Sequence, residues 1–161
     1  MQERKLMEMV EAAGTIAIAG HVRPDGDCVG SCLAVCNYIT EQYPEKTVDV
    51  YLETPPVKFS YLKQFERISS DSNTGKQYEL CICLDSGDRE RLGNNVVYLD
   101  TAKTSICIDH HITNKGYAAS NFVNASASAT CEFLYDFLDE EKISKEVAEC
   151  IYTGIIHDTN V

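Results

Sequence analysis

At 161 residues the chain has the length of one ordinary domain and can bury a sizeable core. Hydrophobic residues at 44% and charged residues at 24% are those of a globular protein, and no apolar run approaches the roughly 18 residues of a membrane span, which excludes transmembrane and disordered chains. A formal net charge of −11 has the wrong sign for gripping nucleic acid through phosphate contacts alone, so an anionic substrate needs local positive charge, such as metal ions.

In chain order, the N-terminal MQERKLMEMVEAAG mixes acids with bases and lacks a continuous apolar core, so it reads as a helix rather than a signal peptide. TIAIAG (15–20) is a β-branched apolar run and predicts a strand. After a loop, VGSCLAVCNYI places Val29, Cys32, Leu33, Cys36 and Ile39 at helical spacing and closes before Pro44. TVDVYLE (47–53) predicts a second strand, Pro55 and Pro56 break the chain, and VKFSYLKQF (57–65) predicts a short amphipathic helix. SSDSNTGKQ is a polar loop; YELCICLD (78–85) and TSICIDH (104–110) predict two further strands, separated by a helical stretch containing DRERL. NASASAT suits a turn feeding a helix TCEFLYDFL, and a last helix with Ser144 as N-cap aligns Val147, Ile151 and Ile155. Apolar strands alternating with helices predict an α/β fold whose mainly parallel sheet is covered by helices on both faces.

Eight cysteines are present without a single C-x-x-C pair. Cys28, Cys32 and Cys36 recur every four residues and Cys81 and Cys83 sit two apart, so they read as small buried hydrophobes of a protein in the reducing cytosol.

Ligands of open α/β sheets bind beyond the carboxyl ends of the strands. The first predicted strand runs into HVRPDGD, from His21 through Asp25 to Asp27; the third ends in Asp85 and the fourth in Asp109-His110-His111, while the final helix ends in His157-Asp158. Taken singly, Asp25-Gly26-Asp27 fits a polar turn, Asp85 a helix N-cap and His157 a helix C-terminus. Together they put all four histidines of the chain beside aspartates at element ends. Several carboxylates cannot share a small site as anions without countercharge. Divalent cations resolve this, and a carboxylate–imidazole set without thiolate suits Mn²⁺, or less decisively Mg²⁺, Co²⁺, Fe²⁺ or Zn²⁺. The ligand count exceeds the need of one ion, and paired ions serve phosphoester hydrolysis. No G-x-x-x-x-G-K-[ST], H-E-x-x-H or G-x-S-x-G occurs.

HVRPDGDCVGS, CLDSGD, the triplet Asp109-His110-His111 followed by ITN, and YTGIIHDTN resemble, in order, the four motifs of the DHH phosphoesterase family. Within it, the first motif is most similar to the NrnA-like branch of oligoribonucleases that also dephosphorylate pAp. Pyrophosphatases and cyclic-dinucleotide phosphodiesterases of the same family, and a non-catalytic metal- or nucleotide-binding module, stay open as alternatives. The resemblance implies that two divalent ions, Mn²⁺ foremost, are bound: one by His21 and Asp25, the other by Asp27, His110 and Asp158, with Asp85 bridging. It further implies that Asp109 orients its neighbours and that His111 hydrogen-bonds the scissile phosphate. The helix after Gly30-Ser31 is expected to offer free N–H groups to a phosphate. Arg23, Arg89, Arg91 and Lys115 lie beside motifs and could touch substrate, although each also fits an ordinary surface base. The substrates implied are short oligoribonucleotides or phosphorylated nucleotides. The family's NrnA-like members continue into a second lobe, DHHA1, of which residues 1–161 show no equivalent, so an isolated catalytic lobe or a piece of something longer is expected. Oligomeric state, a homo-oligomer included, is left open.

Overall fold

The computed structural model describes residues 2–159. Six strands form one sheet in the order β3-β2-β1-β4-β5-β6: β1 at Thr15–Ala19, β2 at Thr47–Tyr51, β3 at Ile68–Ser69, β4 at Leu80–Leu84, β5 at Thr104–Asp109 and β6 at Ser120–Val123. Every pairing is parallel. The helices are α1 (Gln2–Ala12), α2 (Gly26–Gln42), α3 (Val96–Thr101), α4 (Thr130–Leu134) and α5 (Lys145–Thr159). The expected α/β architecture is present.

The central strands β1, β4 and β5 are almost wholly buried, as a sheet covered on both faces requires. Alternation along each strand sorts their side chains. Ile16, Ile18, Leu80, Ile82, Ile106 and Ile108 pack with α1, α2, α4 and α5 on one face. Ala17, Ala19, Cys81, Cys83 and Cys107 lie against Tyr51, Tyr78, Leu92, Tyr98 and Leu99 on the other. All eight cysteines are free and buried.

The helical stripe at Val29, Cys32, Leu33, Cys36 and Ile39 forms as predicted, but α2 is buried on every side from Gly26 to Ile39. The reason is α5, which lies against its outer face. A Cβ on Gly30 would stand 2.5 Å from the Cys150 carbonyl oxygen and 3.1 Å from the Gly154 nitrogen, so only glycine admits this approach. Ser144 does cap α5: its Oγ accepts the Val147 N–H at 3.2 Å. The buried stripe of α5, however, runs through Val147, Cys150, Ile151 and Gly154, while Ile155 is only partly covered.

Several predicted elements differ. Residues 57–65 do not form a helix; single 3-10 turns at Val57–Phe59 and Phe65–Arg67 flank Gln64, whose φ is +67. Tertiary bonds win there: Asn37, buried in α2, donates to the Lys63 carbonyl at 3.0 Å and accepts from Gln64 Nε2 at 3.1 Å. The helical stretch containing DRERL is only partly α-helical: a 3-10 segment at Glu90–Asn95, broken at Gly93 by a φ of +62, precedes α3. TCEFLYDFL is helical only to Leu134 before a 3-10 turn at Tyr135–Phe137. The edge strands β3 and β6 were not expected, because IS is two residues long and SNFV carries no apolar run.

Candidate active site

Register aligns the strand ends. Ala19 pairs with Cys83 and Cys83 with Cys107, so His21, Asp85 and Asp109 each stand two residues beyond one level of three adjacent strands, spaced about 4.8 Å apart. Chain order reverses between β1 and β4, the place where doubly wound sheets open a crevice. Alternation along β4 would carry Asp85 to the same face as Cys81 and Cys83. Instead its φ is +59, a left-handed conformation that redirects the side chain and that a non-glycine residue adopts only where its surroundings impose it.

Asp85 is the hub. Its Oδ2 lies 3.4 Å from His21 Nε2, and its Oδ1 lies 3.5 Å from His110 Nε2 and accepts the Thr130 hydroxyl at 2.9 Å. His21 Nδ1 donates to the Val22 carbonyl at 2.7 Å, which leaves Nε2 facing Asp85 and, at 3.6 Å, Asp25 Oδ1. His110 is arranged alike: Nδ1 is 3.3 Å from the Ala127 carbonyl, and Nε2 faces Asp27 Oδ2 at 3.6 Å and Asp158 Oδ2 at 3.2 Å. Asp27, in the first turn of α2, is fully buried, and its two oxygens accept the Thr130 and Cys131 N–H groups at 2.9 Å each. Asp25 caps α2 by accepting the Cys28 N–H at 3.0 Å. Asp158 reaches the crevice because it follows Gly154 by one turn on the α5 stripe. Asp109 stands behind this group, accepting from His111 Nδ1 at 2.6 Å and Asn114 Nδ2 at 2.9 Å.

These carboxylates crowd one another. Burial first, and the charges on Asp85 and Asp158 next, push the Asp27 carboxyl up to about 9 against its two N–H donors. Burial opposes charge on His21, but Asp25 and Asp85 outweigh it and hold the imidazole well above its ordinary range. Asp158, working against burial and aided by Asp85 and Asp27, raises His110 to about 9. Burial pushes Asp25 up, yet His21 and the Cys28 N–H hold it down at about 2. Burial likewise opposes Asp109, and the bonds from His111 and Asn114 hold it below the usual carboxylate range. The Asp109 bond raises His111 despite burial.

The donor set fits divalent cations. Ligands about 2.1 Å from one ion are separated by about 3.0 Å along octahedral and about 3.4 Å along tetrahedral edges, and the Nε2–carboxylate separations run from 3.2 to 3.6 Å. Those gaps are too long for strong hydrogen bonds. Donor atoms close enough to share an ion fall in the groups Asp27–His110–Asp158, Asp85–His110–His111 and His21–Cys28–Asp85. Cys28 does not suit the role, since burial raises its thiol and the sulfur packs beneath Gly20, 3.9 Å from the His21 carbonyl.

His21, Asp25, Asp27, Asp85, Asp109, His110, His111 and Asp158 are thus brought together from four places in the chain. His157 is not among these groups; its ring packs on Phe59 at 4.9 Å and closes over Gly26. Gly30-Ser31 do not precede a helix: α2 begins four residues earlier, both are buried in its interior, and no free N–H face arises there. Arg89 is neutralised by Asp100, with Nη2 2.8 and 2.6 Å from its two oxygens. Sequence reasoning missed Thr130 and Asn114. Both were visible, Thr130 as the polar residue opening a helix and Asn114 behind the histidine pair, but neither spacing announced a partner 45 or 5 residues away.

A family model described as "DHH family, N-terminal domain" matches residues 15–155. The chain belongs to the DHH family. It is 32% identical, over 97% of its length, to a probable bifunctional oligoribonuclease and PAP phosphatase NrnA of Streptococcus mutans, and 31% identical over 96% to the bifunctional oligoribonuclease and PAP phosphatase NrnA of Bacillus subtilis. This DHH chain spans 49% of each of those relatives. In structure it is similar to an exopolyphosphatase-related protein from Bacteroides fragilis, with a TM-score of 0.87 and 25% identity over 99% of this chain and 50% of the other. No helix among the described residues is long and apolar enough to cross a membrane.

Proposed function

We propose that the chain is the catalytic lobe of a metal-dependent phosphoesterase of the reducing cytosol, acting on short oligoribonucleotides and pAp with two Mn²⁺ ions. The observation that carries this reading is Asp85: one carboxylate turned between two imidazoles, each with its Nδ1 side engaged by a backbone carbonyl and its Nε2 facing carboxylates. His21, Asp25 and Asp85 would hold one ion, and Asp27, His110, Asp158 and Asp85 the other. When bound, the pair supplies the positive charge that activates water and draws electrons from phosphorus.

The chain's own residues do the rest. The Val22 and Ala127 carbonyls fix ring orientation. Thr130 and the α4 N–H groups hold Asp85 and Asp27 in place. Asp109 favours the protonated form of His111, 43% exposed, in which Nε2 can donate a hydrogen bond to a phosphate as charge builds on it. A second lobe, such as the other half of the relatives' length allows, is proposed to complete the substrate site.

The test is a hydrolysis panel at saturating Mn²⁺: pAp, di- to pentaribonucleotides, pyrophosphate and a cyclic dinucleotide. Cleavage of pAp and short oligoribonucleotides, lost on chelation, is expected. Metal-independent cleavage, or none of any substrate, refutes the reading.

A further inference from the structure

Arg91 is held in its own turn by Asp88 and tied to the His21 loop through Val22. Its N–H donates to Asp88 Oδ1 at 2.8 Å, and its carbonyl accepts the Val22 N–H at 2.7 Å. Two residues on, a Cβ at Gly93 would stand 2.5 Å from Val22 Cγ1. The turn is thereby set, and Arg91 Nη2 comes 3.5 Å from His21 Nδ1. This contact is not a stabilising hydrogen bond. Because a carbonyl can only accept, the 2.7 Å bond to Val22 requires a proton on Nδ1, so one donor meets another. The Arg91 guanidinium has no carboxylate partner among the described residues, although the chain carries a net charge of −11. Arg89, two residues away, is paired with Asp100, and Lys115 lines a surface cavity of about 340 Å³ shared with Asp88 and Glu90. An exposed guanidinium at a fixed turn, with no carboxylate of its own and only a second donor beside it, is open to an incoming anion.

We propose that Arg91 is a substrate-contacting residue, whose guanidinium binds phosphate oxygens of a nucleotide entering the His21 end of the crevice. The proposal rests on the phosphoesterase reading above and adds a phosphate contact at the His21 end of the crevice to the one proposed for His111. A guanidinium presents paired donors that match a phosphate, which an ammonium does not.

The experiment titrates pAp onto the full chain with Mn²⁺ by calorimetry and measures KM for its hydrolysis, in wild type, Arg91→Ala, Arg91→Lys and Arg89→Ala. Losing a charge-assisted contact raises Kd and KM for Arg91→Ala by about 10- to 100-fold. Arg91→Lys recovers part of this, and Arg89→Ala matches wild type. The Mn²⁺-induced rise in Tm persists in Arg91→Ala, a readout that a purely structural role at His21 would abolish. Unchanged Kd and KM in Arg91→Ala, or loss of its Mn²⁺ response, overturns the proposal. Wild type that binds pAp without hydrolysing it, with that binding lost in Arg91→Ala, overturns the phosphoesterase reading and leaves the contact standing. Wild type that neither binds nor hydrolyses pAp overturns both.

Discussion

Gly154→Ala inverts a familiar effect. At an exposed position inside a helix, replacing glycine by alanine stabilises by about 1 kcal/mol. Gly154 instead sits where α5 crosses α2 and α4, and a Cβ there would overlap the Cys131 sulfur and stand 2.9 Å from Cys131 Cβ and 3.0 Å from Asp27 Oδ1. Asp27 cannot retreat without leaving the Thr130 and Cys131 N–H groups, each at 2.9 Å, and it is fully buried. Overpacking of this kind costs about 1–3 kcal/mol beyond the propensity gain, which at this chain length lowers Tm by roughly 3–10 °C. Because the displaced carboxylate is one of the proposed ligands, the variant also loses much of its Mn²⁺-induced rise in Tm. Thermal melts with and without Mn²⁺ measure both, and Cys131→Ala in the same chain, which removes the sulfur but not the Cβ, restores part of the loss. A Gly154→Ala protein more stable than wild type, with its Mn²⁺ response intact, refutes this account of the crossing.

Asp85→Ala is expected to abolish phosphoester hydrolysis and reduce bound metal per chain, because among the described residues no other carboxylate faces both His21 and His110; kinetics with metal analysis on the purified variant checks it, and near-normal turnover argues against a bridging ligand. Without metal, the folded-state values of Asp27 and His110, each raised to about 9 from 3.8 and 6.5, mean that the native protein binds more protons than the unfolded chain. Metal-free stability therefore falls as pH rises, from about 4 for Asp27 and from about 6.5 for His110, until both groups have lost their protons near 9. A cation takes the place of those protons, so the Mn²⁺-induced rise in Tm grows between about pH 6 and 8.5. Melts across that range, with and without chelator, show it; a metal response that shrinks with pH contradicts the ligand assignment. His111→Ala should retain the Mn²⁺-induced rise in Tm while losing hydrolysis by about 100-fold or more, read from single-turnover rates, and a variant that hydrolyses like wild type removes His111 from the reaction.

The sequence by itself carried the layer order and most of the residues that the fold brings together at the crevice. Strands such as LCICL and SICID are apolar on both faces, and that pattern has few stable solutions besides a parallel sheet between helices. The site residues were legible because each follows a strand or closes a helix, so local pattern and chemistry coincide at His21, Asp85, Asp109 and Asp158. What the sequence could not carry is whatever depends on a partner remote in the chain. VKFSYLKQF has helical periodicity, yet Asn37 and Gln64 recruit it into turns, since tertiary hydrogen bonds outweigh a weak local preference. Gly30 and Gly154 look like poor helix residues until α2 and α5 are seen to cross there. Asp85 reads as the end of a strand, and only packing decides that its backbone turns left-handed and aims one carboxylate at His21 and His110 together. Thr130 likewise acquires its role when the N-terminus of α4 closes on Asp27 and Asp85. Local propensity is worth tenths of a kilocalorie per residue, whereas leaving a buried carboxylate unpartnered costs several, so burial decided these positions and spacing did not.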